Sequence, residues 1–204
     1  SSSQGHYMVR SATAIMTGLN VADIRAIPAE IGGGFGGKTI VYLEPLALIM
    51  ARISGFPVKM VMTREEVFLA TGPTSGSWNT VKIGATKEGK ITAATATFRF
   101  QAGAFPGSPA RPAASCAFAP YEIENVQAIG YDVVMNRPKS NAYRAPGAPI
   151  AAFSVESAID ELARQLGLDP VEFRLKNAAK EGTRAAYGPT FRKVGYVEPL
   201  DAAK

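Results

Sequence analysis

Five glycines in six positions, Gly32-Gly33-Gly34-Phe35-Gly36-Gly37, followed by Lys38-Thr39, constrain this chain more than any other stretch. Backbone without side chains reaches positive φ freely, and its N–H groups can approach an anion, a cofactor or a crossing segment closely. The run satisfies G-x-x-x-x-G-K-[ST], the phosphate loop of nucleotide hydrolases. That loop needs its Lys and Thr on the first turn of a helix. Here Thr39-Ile40-Val41-Tyr42 favours extended chain and the next helix signal starts at Glu44. The following apolar run, VKMVM, ends in Thr63-Arg64 rather than in an Asp that could help hold magnesium. A dinucleotide pattern G-x-G-x-x-G fits Gly34 and Gly36 but meets Thr39 at its third glycine. A turn that merely lets two elements cross, and a cradle for an unspecified anion or cofactor, both stay open.

Composition narrows the choices. With 204 residues the chain can bury an ordinary hydrophobic core. A single Cys, Cys116, excludes an internal disulfide framework, a Cys-rich zinc site and an iron–sulfur cluster held by this chain alone. A single His, His6, argues against a His-rich metal site. The plain readings of these two are a buried small side chain for Cys116 and a helix-start residue for His6. The net charge of +5 gathers in the middle: residues 71–150 carry eight Lys/Arg against four Asp/Glu, with Arg137, Lys139 and Arg144 in NRPKSNAYRAPGAP. That suits an anionic group docking at a loop better than a nucleic-acid stripe. No apolar run is long enough to span a membrane. A reducing, cytoplasmic setting is the expectation.

The coarse elements follow from periodicity and punctuation. Met8, Ala12, Ile15, Met16 and Leu19 predict a helix ending at Gly18. Asp23 to Ile31 and Val58 to Met62 read as strands, and a helix from Glu44 to Gly55, with Pro45 in its first turn, reads as apolar all round and therefore buried. Val81 to Ala85 and Ile91 to Phe100 form a hairpin turned at Gly89, with a further strand over Val126 to Met135. GAFPGSPARPAASCAFAP, residues 103–120, reads as an ordered loop without a regular element. Ala152, Val155, Ile159, Leu162 and Leu166 predict an amphipathic helix on which Asp160 and Arg164 can pair, and Asp169-Pro170 with Glu172 opens another. Glu156, Glu161 and Glu172 read as solvated or capping groups. Strands and helices without strict alternation suggest α+β: a mixed sheet with packed helices.

Together, the Gln of SSSQG, the string GGGFGGK, the string NAYRAPGAP and the later DPVEFRLKNAAKEG resemble the large subunit of the molybdenum hydroxylases, the xanthine dehydrogenase and aldehyde oxidase family. The likeness runs in order from Gln4 to about Gly182. It implies that residues 1–204 are a fragment of that family's molybdopterin-binding domain, supplying the first half of the cofactor site. Further chain is expected before SSSQGHYMVR, which meets a helix without an initiator Met. The resemblance implies cofactor binding by Gln4, by Gly33, Gly34, Phe35, Gly36 and Gly37, and by Ala142, Tyr143 and Arg144. Gln4, Phe35 and Arg144 would lie near molybdenum without being side-chain ligands, and Thr39, Ala145 and Pro146 would face the substrate. The implied cofactor is molybdopterin with molybdenum, as the cytosine dinucleotide in a bacterial enzyme. Iron–sulfur clusters and FAD would sit on partner domains or subunits, together with the remainder of the large subunit.

Departures from the family pattern narrow the subclass. Xanthine-oxidising members carry Glu directly after GGGFGGK and a Phe two residues after the loop Arg; here those places hold Thr39 and Pro146. A purine is therefore not expected as substrate. The copper-holding Cys of carbon monoxide dehydrogenases is replaced by Ala145. An aldehyde or N-heterocycle hydroxylase remains. The family's general base, a Glu in G-x-G-E, has no counterpart in these 204 residues, so none of them is expected to be catalytic and the fragment alone is expected to be inactive. A phosphate-loop nucleotide-binding protein using Gly32 to Thr39, and a non-catalytic interaction fragment, are the alternatives.

Overall fold

The computed structural model describes residues 1–203. The chain divides into two compact units, Ser1–Thr74 with Asn136–Arg144, and Ser75–Met135 with Ala145–Lys204.

In the first unit, α1 (His6–Thr17) ends where Gly18 takes φ 70° and its N–H bonds Ala14 O at 2.9 Å. Only glycine adopts that conformation without steric cost. Its buried side chains are Val9, Thr13 and Ala14, so the predicted helix is present but turned, leaving Ile15 and Met16 exposed. A short 3-10 turn, Val21–Asp23, follows. The predicted strand over 23–31 does not form: that segment is irregular and instead runs beside Ser1, whose O accepts from Ala29 N–H at 3.0 Å. Helix α2 (Glu44–Ser54) packs against α1, with Pro45 in its first turn and Gly55 at its end. Only Pro45 is buried. Leu46, Met50 and Ile53 are exposed, which corrects the expectation of a wholly buried helix. Val58 to Met62 is likewise unpaired rather than a strand. At its end Thr63 opens α3 (Arg64–Ala70), which the sequence reading missed. Thr63 Oγ1 accepts from Glu66 N–H at 3.2 Å, and Thr63 N–H donates to Glu66 Oε2 at 2.7 Å.

The second unit holds a mixed sheet. Strands β1 (Ser77–Ala85) and β2 (Ile91–Gly103) pair antiparallel as predicted, turned at Gly89 with φ 83°. Strand β3 (Asn125–Val134) lies parallel to β2, giving the order β1-β2-β3. A parallel pair needs a crossover, and this one contains α4 (Ala110–Cys116), inside the stretch expected to be irregular. The prolines misled: Pro109 caps α4 and Pro112 lies in its first turn, where N–H groups have no intrahelical partner. Cys116 at its end is exposed, not buried.

Helix α5 (Ala148–Gln165) buries Ala151, Val155, Ile159 and Ala163, a stripe at four-residue spacing against α4 and β1. The buried side of β2 supplies Ile91, Ala94, Ala96, Phe98 and Phe100 to the same core. Helix α6 (Pro170–Lys176) starts at Asp169, whose Oδ1 accepts from Val171 and Glu172 N–H. Behind it Asn177, fully buried, accepts from Ile91 N–H at 2.8 Å and donates to Gly89 O and Phe173 O. Helix α7 (Val197–Ala203) packs on α6 and was not anticipated.

Two charge assignments change as well. Asp160 pairs with Arg174 at 2.7 Å, not with Arg164. Glu156 is no solvated side chain: it bonds Arg174 at 2.8 Å and accepts from Tyr121 Oη, tying α5 to α6. Burial, then the adjacent Glu156 carboxylate, pushes the Tyr121 hydroxyl far above its ordinary value. No helix of the described residues is long and apolar enough to cross a membrane.

Candidate cofactor site

The glycine run forms a tight loop in the first unit. Gly33, Phe35 and Gly36 have φ of 93°, 49° and 99°. For Phe35 this left-handed backbone costs energy, and such residues persist only where their surroundings over-determine them. The determinants can be named. Gly37 N–H donates to Gly34 O at 2.7 Å, and Thr39 Oγ1 donates to Gly36 O at 2.7 Å.

Gln4, just before α1, clamps the loop from one side. Its Oε1 accepts from Gly36 N–H at 3.0 Å and Lys38 N–H at 3.2 Å, while its own N–H donates to Lys38 O at 2.9 Å. A Cβ at Gly34 would come within 2.6 Å of Gln4 Cδ, so glycine is required for the clamp to close. Because two donors fix the oxygen end of the Gln4 amide, its orientation is set and Nε2 is left as a donor.

The second loop closes from the other side. Arg144 N–H donates to Phe35 O at 2.8 Å, and a Cβ at Gly36 would lie 2.8 Å from Ala142 O. Gln4, Phe35 and Arg144, 140 positions apart at the extremes, therefore meet on one short piece of main chain. A cavity of about 960 Å³ opens beside both loops, lined in part by Gly34, Phe35, Gly37, Ala142 and Tyr143. Gln4 and Arg144 do not line it. Thr39 is exposed at the end of the glycine loop; Ala145, with φ 53°, and Pro146 belong to the second unit.

Two residues central to this geometry escaped the sequence reading. Asn141 Nδ2 donates to Gly37 O at 2.9 Å and to Tyr42 Oη at 2.6 Å. Tyr42 Oη also lies 2.8 Å from Gly37 O and 3.0 Å from Thr71 O. The one available signal was the position of Asn141 directly before Ala142-Tyr143-Arg144. Burial, reinforced by the nearby Glu44 charge, raises the Tyr42 hydroxyl despite the Asn141 donation. Burial opposes ionisation of Glu44, but hydrogen bonds from Ser1 Oγ and Tyr42 N–H outweigh it and hold that carboxyl below its ordinary range.

The geometry disfavours the phosphate loop. Lys38 and Thr39 precede α2 by several residues, and the N–H groups of Gly36, Gly37 and Lys38 are spent on Gln4 and Gly34. A phosphate would find these donors occupied. Glycine at 34 and 36 lets Gln4 and Ala142 pack directly on the loop main chain, and this backbone seat beside a cavity of about 960 Å³, with an oriented amide donor next to it, fits a bulky cofactor held largely by main chain and shape.

The nicotinate dehydrogenase large molybdopterin subunit of Eubacterium barkeri is 32% identical across the whole of this chain, which covers 49% of that protein. The putative xanthine dehydrogenase molybdenum-binding subunit of Escherichia coli K12 is 32% identical over 89% of this chain and 25% of its own length. The chain thus spans about half or less of these curated relatives. Among solved structures, the aldehyde oxidoreductase of Desulfovibrio gigas superposes with a TM-score of 0.89 at 28% identity, over 98% of this chain and 22% of that one. With residues 1–178 matching the molybdopterin cofactor-binding domain pattern, the chain belongs to the molybdopterin cofactor-binding domain family.

Proposed function

We propose that this chain supplies the molybdopterin-binding loops of a molybdenum-dependent hydroxylase that oxidises an aldehyde or an N-heterocycle. When bound, the cofactor supplies two-electron oxidation, with the oxygen of the product derived from water. Everything else falls to the protein.

The Gly33–Gly37 main chain and the Ala142–Arg144 loop form the seat, and glycine at 34 and 36 is what lets Gln4 and Ala142 close onto it. Gln4 presents its Nε2 donor towards the cofactor. Thr39 and Pro146 stand where purine-oxidising members carry Glu and Phe, which argues against a purine, and Ala145 stands where carbon monoxide dehydrogenases carry their copper-holding Cys. The general base lies outside these residues, since no G-x-G-E occurs in them. The proposal extends to the cytosine dinucleotide form of the cofactor, whose pyrophosphate suits the positive surplus near Arg144. It also extends to iron–sulfur and flavin groups on partner domains or subunits, and to a cytoplasmic enzyme.

The observation that supports this most is the three-way junction at the glycine loop, with Gln4 on two of its amides and Arg144 N–H on the Phe35 carbonyl. The test is molybdenum content. In the assembled enzyme, Gly34→Ala should displace Gln4 and strip molybdenum from the purified protein, as measured by mass spectrometry of the metal. Full molybdenum in that variant would overturn the assignment.

A further inference from the structure

We propose that Asn141 and Tyr42 are positioning residues that lock the glycine loop to the second loop and thereby fix the main chain on which the cofactor rests. The inference deepens the reading given under the proposed function and rests on it.

The orientation of Asn141 is determined at three points. Its N–H donates to Pro73 O at 2.9 Å, and its Oδ1 accepts from Ala142 N–H at 2.8 Å. The oxygen end is thereby engaged, so Nδ2 must face the glycine loop. Its two protons then go to Gly37 O and Tyr42 Oη. The Tyr42 hydroxyl, with its lone pair engaged by Asn141, has one proton left for Thr71 O or Gly37 O. Every donor in the group is used, and none can be inverted without leaving two acceptors face to face.

The location makes this more than packing. Asn141 reaches Gly37 while Arg144 N–H reaches Phe35 O, so both ends of the second loop are bonded to the same glycine loop. Gly34 O, the acceptor for Gly37 N–H, lies on that loop as well. Moving Gly37 therefore moves the seat. Burial keeps the Tyr42 hydroxyl protonated, so the lock persists through neutral and mildly alkaline pH. Neither side chain needs to touch the cofactor to act on it.

The experiment uses the assembled enzyme carrying Asn141→Asp, Tyr42→Phe, Gly34→Ala or Val9→Ala. The readouts are molybdenum per protein, the electron paramagnetic resonance line shape of the reduced metal, and kcat and KM per molybdenum. Asn141→Asp keeps the oxygen that meets Ala142 N–H but turns a second oxygen on Gly37 O. It should lower molybdenum content or kcat about 10- to 100-fold, with an altered line shape and KM unchanged. Tyr42→Phe should act in the same direction but less, because Asn141 still reaches Gly37. Val9→Ala, a core change in the same unit, lowers the melting temperature without altering line shape or kcat. If Asn141→Asp and Tyr42→Phe match Val9→Ala while Gly34→Ala loses molybdenum, the positioning role is refuted and the site stands. If Gly34→Ala is silent, the site reading falls and the inference with it.

Discussion

Replacing Gly36 by Ala isolates the contact between the two loops. At φ 99° a Cβ collides with its own backbone, a strain of about 1–2 kcal/mol on the scale of left-handed L-residues. The added carbon would also meet Ala142 O at 2.8 Å and Ala142 C at 3.0 Å. These are backbone atoms of a loop bonded to Phe35 and Gly37, so they cannot swing aside as a flexible side chain would. Overpacking of that kind costs about 1–3 kcal/mol. Together the two effects should lower unfolding free energy by roughly 2–5 kcal/mol. Gly32→Ala is the matched comparison: its Cβ meets nothing within 4 Å and its φ is not positive, so the change should stay within about 0.5 kcal/mol. Urea unfolding of both variants, followed by tyrosine and tryptophan fluorescence, gives the difference, and metal content of the assembled enzyme gives the functional counterpart. Equal stability and equal molybdenum in the two variants would refute the claim that the loops are held in contact through Gly36.

Four further outcomes test other parts of the fold. Asn177→Ala removes three hydrogen bonds from a fully buried side chain and leaves Ile91 N–H and Gly89 O without partners, so it should cost about 2–5 kcal/mol in chemical denaturation. Thr63→Ala removes the cap of α3 and should cost about 1 kcal/mol, seen as faster amide exchange over 64–70 with little change elsewhere. The Tyr121 hydroxyl is raised by burial and then by Glu156, so its contribution to stability is complete below the unfolded tyrosine value near roughly pH 10 and declines as pH rises above it. Unfolding measured from neutral to alkaline pH should fall along that limb, and Tyr121→Phe should flatten it. Magnesium–nucleotide titration should show no saturable binding to the unaltered chain, and therefore none to lose in Lys38→Ala. Saturable binding abolished by that change would restore the phosphate-loop reading.

The elements legible in the sequence are those whose determinants lie close together along the chain. Gly18 and Gly55 end helices, Pro45 and Pro170 begin them, and Gly89 turns the hairpin, because each acts on backbone within one or two turns of itself. Helix α4 was hidden by its own prolines. Their density in residues 103–120 suggested that no helix was possible, yet a helix asks nothing of its first N–H groups. Helix α3 carried a full signal in Thr63-Arg64-Glu65-Glu66 that was overshadowed by the alternation of VKMVM before it.

The two strands that did not form teach the opposite lesson. Alternation shows that a segment could lie on a pleated, half-buried surface. It does not supply the neighbour, and residues 23–31 and 58–62 join no ladder among the described residues. The site shows the same division. Glycines at 32–37 announce that something must come close, because small residues are a local property. What comes close is Gln4 from about thirty positions earlier and Asn141 from about a hundred later, and only the folded chain brings them together. Asn141 and Tyr42 were invisible for that reason. A half-buried amide bonded to a half-buried tyrosine 99 positions away leaves no periodicity in the sequence, although it decides where the Gly37 carbonyl sits. If that pairing sets the cofactor loops as argued, residues with no local signature bear on the seat as directly as the glycines that advertise it.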